Sequence, residues 1–341
     1  MLKYGIIGFG GLGKRHFRNT EKLRETVGEI QLTALCDIEE SAFLQQTQIN
    51  NSSDQTDLDL SAYRLYTNVE EMLEKEDLDF VITALPTYLH EPIAVQAMEK
   101  GLHVFSEKPM ALNGEQAQRM IDTAEKMGVH LMIGQCVRYA PYAEALKEWI
   151  ATEKYGKVLY ANFERFSGPP VWSWKKWMLD EEKSGGAALD LHVHDVDLVQ
   201  WLFGLPRALT ARRVTADTAH DMLTAFYDYP DKYVSVSSGW GLSQTFKFRS
   251  EQLVRFEHAT LEVRGGVATL YTDEKAEVMD WPARDNYVSE VADFITCIRE
   301  NRESRINDPR SCKRSMELAL AEKKAAAVGE TIYLTEGWEK N

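Results

Sequence analysis

The stretch from Lys3 to Asp37 constrains this chain more than any other. A short apolar run, Tyr4, Ile6 and Ile7, meets Gly8-Phe9-Gly10-Gly11-Leu12-Gly13; a helix-compatible segment follows, and a second apolar run from Leu32 to Cys36 ends on Asp37. The order predicts strand, glycine turn, helix, strand. The glycines of G-x-G-x-x-G are not interchangeable. Gly8 permits the tight turn, Gly10 lets backbone approach a pyrophosphate, and Gly13 lets the helix lie close to its strand. Amides at the helix N-terminus then face the phosphates. Asp37 lies 24 residues past Gly13, where a carboxylate can accept hydrogen bonds from an adenosine ribose. A glycine pattern alone matches many ligand-free loops. With both strands and the acidic residue it predicts a dinucleotide site made by Gly8, Phe9, Gly10, Gly11, Leu12, Gly13 and Asp37. NAD is expected over NADP, because Asp37 would repel a 2′-phosphate and Ile38 offers no charge to bind one. Arg64 or another distant arginine folding over would reverse that preference.

The rest of the first half keeps the same beat. Ile38 to Gln48 reads as a helix and Asn50 to Asp59 as a polar surface loop. Strands are expected at Leu65–Thr67, Phe80–Leu85, His103–Ser106 and His130–Gly134, with helices at Val69–Lys75, Glu91–Lys100 and Gly114–Met127. Strands alternating with helices of this length predict a parallel, doubly wound sheet. After Pro141 the texture changes. Val158–Phe166, Ala208–Val214, Leu223–Tyr229, Tyr233–Trp240, Leu253–Glu257 and Val267–Tyr271 are strand-like with little helix between most of them. A largely antiparallel, open-faced sheet is expected, and the alternation of Tyr233 to Ser237 predicts one packed and one polar face. Val288–Arg299 and Lys313–Val328 read as amphipathic helices. At 341 residues two domains are expected: an α/β domain over 1–134 and an α+β domain over 135–341, whose terminal helix is free to pack back on the first.

Charge and cysteine usage narrow the class. With 39 Lys and Arg against 53 Asp and Glu the net charge is −14, which argues against general affinity for nucleic acid or anionic membrane. Cys36, Cys136, Cys297 and Cys312 have no C-x-x-C spacing, no apolar run is long enough to span a bilayer, and no secretion segment is recognisable. A cytoplasmic location is the expectation.

Three clusters outside the glycine loop can carry chemistry. Ala84-Leu85-Pro86-Thr87-Tyr88-Leu89-His90 lies at the C-terminal edge of a parallel strand, where doubly wound sheets bind ligands; a plain strand stop with a helix-entry histidine is the alternative. Glu107-Lys108-Pro109 follows the next such strand. Proline keeps Lys108 extended, and a lysine there can donate to a substrate hydroxyl or its developing alkoxide; alone, it would read as a solvated charge. The third cluster is Gly185-Gly186-Ala187-Ala188-Leu189-Asp190-Leu191-His192-Val193-His194-Asp195-Val196-Asp197. On a helix Leu189, Val193 and Val196 share one face, while Asp190, His194, Asp197 and Trp201 share another. Asp190 and His194 can then act as a proton-handling pair. A metal site is disfavoured because His192 and His194 point about 200° apart on a helix, and no metal is expected. A solvated helix face remains the bland alternative.

These residues resemble a known family, the glucose-fructose oxidoreductase, inositol dehydrogenase and rhizopine-catabolism proteins, written Gfo/Idh/MocA. The likeness runs from the glycine loop through A-L-P-T-Y-L-H, A-M-E-K-G-L-H-V-F-S-E-K-P, G-Q-C-V-R-Y-A-P and S-G-G-A-A-L-D-L-H-V-H-D-V-D. It implies an N-terminal Rossmann domain, and catalytic roles for Lys108, Asp190 and His194. Leu85, Pro86, His90 and Glu107 would lie beside the cofactor, and Lys108-Pro109 would be a cis bond. There are departures: Leu85 stands where many members have threonine, and His192 replaces a common glycine, adding a polar group to the expected substrate pocket. Trp172, with Trp174 and Trp177, can pack on the apolar face of a sugar or anchor a loop. Arg138 is a further substrate-binding candidate, or an interdomain ion pair.

The resemblance implies an NAD(P)-dependent oxidoreductase acting on a secondary alcohol or ketone of a sugar, sugar derivative or cyclitol, assembled as a homodimer or homotetramer. An NAD-dependent glycosidase of the same fold, or a non-catalytic sensor of dinucleotide and sugar, stays open. Lys108, Asp190 and His194 together argue against the sensor.

Overall fold

Central parallel strands are covered on both faces and so read as unbroken apolar runs; β1 (Leu2–Ile7) buries its last four residues on that account. The computed structural model describes residues 1–44, 58–216, 218 and 220–334, and the backbone alone of 48–49 and 52–53. After β1 the chain makes α1 (Gly11–Arg18) and α2 (Thr20–Val27), where one helix was expected, and then β2 (Ile30–Cys36). The helix expected from Ile38 to Gln48 does not form in its described part. Asp37 Oδ1 accepts the Glu39 amide at 2.9 Å, turning the chain as it leaves β2, and only a single 3-10 turn follows at Glu40–Phe43. The remainder of that expectation, and most of the loop Asn50–Asp59, lie outside the described residues, apart from a short backbone hairpin, β3 (Gln48–Ile49) and β4 (Ser52–Ser53).

The chain continues through β5 (Arg64–Tyr66), α3 (Val69–Lys75), β6 (Phe80–Thr83), α4 (His90–Glu99), β7 (His103–Glu107), α5 (Gly114–Met127) and β8 (Leu131–Gly134). Asn113 caps α5 by accepting the Gln116 amide at 3.0 Å, and Gly128, at φ 67°, ends it in the left-handed conformation. The six strands are all parallel in the order β5-β2-β1-β6-β7-β8. Strand order reverses between β1 and β6, which makes their carboxyl edge the switch point of a doubly wound sheet.

The later chain makes α6 (Pro141–Ala151), β9 (Val158–Phe166), α7 (Glu181–Ser184), α8 (Val193–Phe203), β10 (Ala208–Val214), β11 (Met222–Asp228), β12 (Tyr233–Gly239), β13 (Arg249–Phe256), β14 (Thr260–Arg264), β15 (Val267–Tyr271), β16 (Ala276–Val278), α9 (Asn286–Glu300), α10 (Pro309–Val328) and β17 (Ile332–Tyr333). A nine-stranded sheet runs β16-β15-β14-β13-β9-β12-β11-β10-β17, antiparallel except where β9 and β12 run side by side in parallel. The simple alternation expected at Tyr233–Ser237 is not seen. Ser235 is buried because it meets Asn162 Nδ2 at 2.9 Å, so Val234, Ser235 and Val236 are all enclosed.

Contacts divide the chain into two units: residues 1–136, 172–177 and 284–313 in the first, and 137–171, 178–283 and 314–341 in the second. The boundary expected at 134/135 falls beside the first crossing. In the first unit α9 seals the parallel sheet, its Val288, Val291, Phe294 and Ile295 joining Tyr4, Ile6, Phe80 and Phe105 in one core. Among the described residues no helix is long and apolar enough to cross a membrane.

Candidate active site

The glycine loop shows which positions must lack a side chain. A Cβ on Gly8, whose φ is 91°, would meet the Ala84 carbonyl at 2.3 Å, and one on Gly13 would meet the Gly8 carbonyl at 1.9 Å. Packing therefore demands both. At Gly10 a Cβ would meet nothing within 4 Å, so the protein's own packing does not demand a glycine there and the space beside it is open. Gly10 is also the N-cap of α1 and has no side chain to cap it, so the first amides of that helix are of the kind that can meet a phosphate. Phe9 turns its ring inward against Phe17 and Phe43 and donates its amide to Asp37 Oδ2 at 2.8 Å. Asp37 is half-buried, each oxygen holding one backbone amide while keeping lone pairs for a ribose. Gly11 and Leu12 complete the first turn of α1. These residues fit a dinucleotide.

Along the same carboxyl edge lie the ends of β6 and β7. Leu85 and Pro86 follow β6, and half-buried Lys108 follows β7 with a cis bond to Pro109. His90, fully buried, spans the two turns: Nδ1 is 2.7 Å from the Pro109 carbonyl and Nε2 2.8 Å from the Leu85 carbonyl. Burial lowers its pKa from the ordinary histidine value, while the two carbonyls, which can only accept, favour the protonated ring. Glu107 is 2% exposed and meets His16 Nε2 of α1 at 2.7 Å. His90 and Glu107, both expected beside the cofactor, have their side chains engaged by protein partners, as buried polar groups require.

In the second unit the segment that carries Asp190 is not the α-helix expected. Ala188–His192 is a π-helical turn running directly into α8. Such a turn adds a residue to the helical repeat, so faces assigned at 3.6 residues per turn slip across it. Leu189, Val193 and Val196 are in the core as expected. The other face differs. Asp197 is 1% exposed and takes both Nε and Nη2 of Arg138, at 2.8 and 2.6 Å; Asp195 is similarly held by Arg165 at 2.7 and 3.1 Å. Arg138 is 0% exposed, and its pair lies inside one unit. His192, expected in the substrate pocket, is also 0% exposed, with both ring nitrogens engaged by Ser238 and Glu322. Asp190 is buried, and His194, at the first turn of α8, is half-buried. Trp172 is half-buried, and Trp174, 40% exposed, has Lys175 Nζ 4.3 Å over its ring; both belong to the first unit with Trp177.

Three residues escaped sequence reasoning. His16 sits on the phosphate-side helix with nothing in its spacing to mark it. Glu290 lies on α9 at 0% exposure; burial, then the charge of Glu107, raises its pKa well above the ordinary carboxyl value. Glu322 is in α10, 130 residues from its partner His192.

Comparison with known proteins places these features in a family. A model described as an oxidoreductase family with NAD-binding Rossmann fold, GFO/IDH/MocA, matches residues 2–135, and the GFO/IDH/MocA C-terminal domain matches residues 143–269. A 2,7-anhydro-N-acetylneuraminate hydratase of Mediterraneibacter gnavus is 36% identical over 148 residues, 42% of this chain and 38% of that protein. The glucose-6-phosphate 3-dehydrogenase of Bacillus subtilis is 30% identical over 207 residues, 60% of this chain and 54% of that protein. The chain thus spans about half or less of the length of these curated relatives. In fold, it is similar to the WlbA dehydrogenase of Bordetella pertussis, solved in complex with NADH and UDP-GlcNAcA, with a TM-score of 0.80 at 22% identity over 98% of this chain and 99% of that one. Both domain models come from one family and together take in most of the chain, including the glycine loop, Lys108, Asp190 and His194: the chain belongs to the GFO/IDH/MocA oxidoreductase family.

Proposed function

We propose that the chain is an NAD-dependent oxidoreductase that exchanges a hydride with a secondary alcohol or ketone of a sugar, sugar derivative or cyclitol. The observation that carries this reading is the row of features along one sheet edge. The phosphate-ready glycine loop follows β1, Asp37 follows β2, Leu85 and Pro86 follow β6, and Lys108 follows β7. Bound there, the nicotinamide would accept or give the hydride. The chain's own work is proton and charge management. Lys108 donates to the substrate oxygen and stabilises the alkoxide as it forms. His194 takes the hydroxyl proton during oxidation and returns it during reduction, and Asp190 orients the substrate or the imidazole. The names of relatives that act on sugar phosphates and inositol support a polyhydroxylated substrate. Screening sugars, cyclitols and their keto forms by absorbance of the reduced nicotinamide tests the reading; no turnover with any of them, at saturating NAD, would overturn it.

One relative is named a hydratase. That favours a second reading, in which hydride is removed from and returned to the same substrate with no net oxidation. Product formation without accumulation of reduced nicotinamide would distinguish it.

The proposal extends to self-association. The nine-stranded sheet leaves apolar side chains outward, and a second copy is the occupant that would cover them.

A further inference from the structure

Four side chains from four separate segments form one buried polar chain against the turn that carries Asp190. His192, on the π-helical turn, sets Nε2 against a carboxylate oxygen of Glu322 on α10 and Nδ1 against the Ser238 hydroxyl on β12. The other oxygen of Glu322 accepts the hydroxyl proton of Tyr227 on β11. His192 and Glu322 are 0% exposed, and Tyr227 and Ser238 are each 1% exposed. A carboxylate at that depth is tolerated only with its donors in place, so the four residues stand or fall as a group.

Every donor in the group has an acceptor. Glu322 can only accept, so Tyr227 donates to one oxygen and the Nε2–H of His192 to the other. Burial and the nearby Glu322 charge push the Tyr227 hydroxyl well above its ordinary pKa, so it remains a donor. In the arrangement proposed below, Nδ1 accepts the Ser238 proton. His192 lies midway in sequence between Asp190 and His194, so holding it from both nitrogens restrains both neighbours. Single π-helical turns inside α-helices are rare and occur frequently at functional sites. The His192 side chain ties the turn to β12 directly, and through Glu322 to α10 and β11.

We propose that His192 and Glu322 are positioning residues: the chain Tyr227–Glu322–His192–Ser238 locks the π-helical turn so that Asp190 and His194 reach the substrate in one register. The inference rests on the reading of Asp190 and His194 as the proton-handling pair.

Glu322→Gln is the discriminating variant. Its carbonyl still accepts from Tyr227, while its amide donates to His192 Nε2 and reverses the ring tautomer, so the turn stays in place. Glu322→Ala and His192→Ala break the chain. We expect Glu322→Gln to keep kcat within about threefold, and both alanine variants to lower kcat by about 10- to 100-fold with KM for NAD unchanged, as misplacement of a catalytic group does. Nitrogen NMR of labelled histidine should find the His192 proton on Nε2 in the wild type and on Nδ1 in Glu322→Gln. Should the alanine variants fail to fold, Tyr227→Phe and Ser238→Ala each remove one hydrogen bond and should lower kcat by about three- to tenfold. His194→Ala is measured alongside. If it keeps activity, the catalytic reading fails. If it loses activity while Glu322→Ala, or the milder pair, keeps wild-type kcat, that reading survives and the positioning role is overturned. A His192 proton on Nδ1 in the wild type also overturns it.

Discussion

His16 Nε2 lies 2.7 Å from Glu107 Oε1, and neither side chain is more than 3% exposed. The pair ties α1, which carries the glycine loop, to the end of β7, which carries Lys108. Phosphate site and strand-end lysine are therefore braced through one buried contact. His16 also packs edge-on to Phe105 and to Tyr287, which connects the brace to α9.

The same region holds the clearest pH-sensitive group. Both Glu290 oxygens are buried, with no hydrogen-bond partner among the described residues, and its surroundings include Glu107 on β7, Arg15 on α1, and Asp285 and Tyr287 at the start of α9. Burial and Glu107 raise its pKa well above the ordinary carboxyl value of 4.5. The native state therefore holds a proton that the unfolded state releases. The stabilisation is complete below the unfolded pKa and is lost as pH rises toward and through the folded one. Glu290→Gln mimics the protonated form. Urea denaturation from about pH 5 to about pH 9 should show wild-type stability falling relative to the variant, which becomes the more stable protein at the alkaline end. Parallel curves would show that Glu290 is not held protonated.

Arg138 yields a second prediction, because its two candidate roles part company. A substrate contact, once removed, raises KM and leaves stability alone. A bidentate pair at 0% and 1% exposure, broken on one side, strands a buried charge. Arg138→Ala should cost about 3 to 5 kcal/mol of stability. Replacing both partners with apolar residues, Arg138→Met with Asp197→Leu, should cost much less. A raised KM at unchanged stability would return Arg138 to the substrate.

How much of this was legible in the sequence depended on how local the signal was. Gly8 to Asp37 could be read because turn, helix start and strand end are encoded within one short segment, and Lys108 could be placed because it follows an apolar run and precedes proline. Glu290 and Glu322 could not. Each sits in an amphipathic helix where glutamate reads as solvated, and the partners that enclose them come from distant segments. The π-helical turn at Ala188–His192 was also hidden, since it inserts a residue without altering which residues are apolar. The 3-10 turn after Asp37 shows the same limit: a side-chain to backbone contact, Asp37 to Glu39, overrides periodicity over a few residues.

The catalytic assignment predicts that His194→Ala lowers kcat by about 10²- to 10⁴-fold, the usual contribution of positioned proton transfer, with NAD affinity nearly unchanged. Lys108→Ala should be at least as harmful, because it removes the charge facing the alkoxide. Steady-state kinetics with the identified substrate, together with NAD titration of each variant, checks both. Near-native kcat in His194→Ala would assign the proton to another group.

Cofactor choice should follow Asp37. Its carboxylate would lie against a 2′-phosphate, while its oxygens also hold the amides of Phe9 and Glu39. Asp37→Asn keeps one amide-accepting oxygen and removes the charge. The ratio of kcat/KM for NAD over NADP should exceed one in the wild type and fall by roughly tenfold in the variant, about the size of one unfavourable charge contact in a partly solvated site. A wild-type ratio at or below one would overturn the preference.

Self-association can be tested on the outer face of the nine-stranded sheet. Leu159 on β9, Phe226 on β11 and Tyr233 on β12 are 44%, 41% and 45% exposed, and Tyr233 stacks between Tyr160 and Phe226 with ring centroids 5.8 Å away on each side. Val267 and Tyr271 extend apolar exposure to β15, and Phe248 to the start of the segment before β13. Phe246, two residues before Phe248, is half-buried. Aromatic rings stacked across three neighbouring strands and left facing water form a contiguous patch of the kind that marks an interface, whereas scattered apolar side chains do not. Charge at its centre should break the assembly without touching the inner face that packs the core. Light scattering at micromolar concentration should give a dimer or tetramer of the 38.9 kDa chain, and Tyr233→Asp combined with Phe226→Asp should give a folded monomer. A wild-type protein that scatters as a monomer would remove the proposed partner, and an assembly that survives both substitutions would place the interface elsewhere.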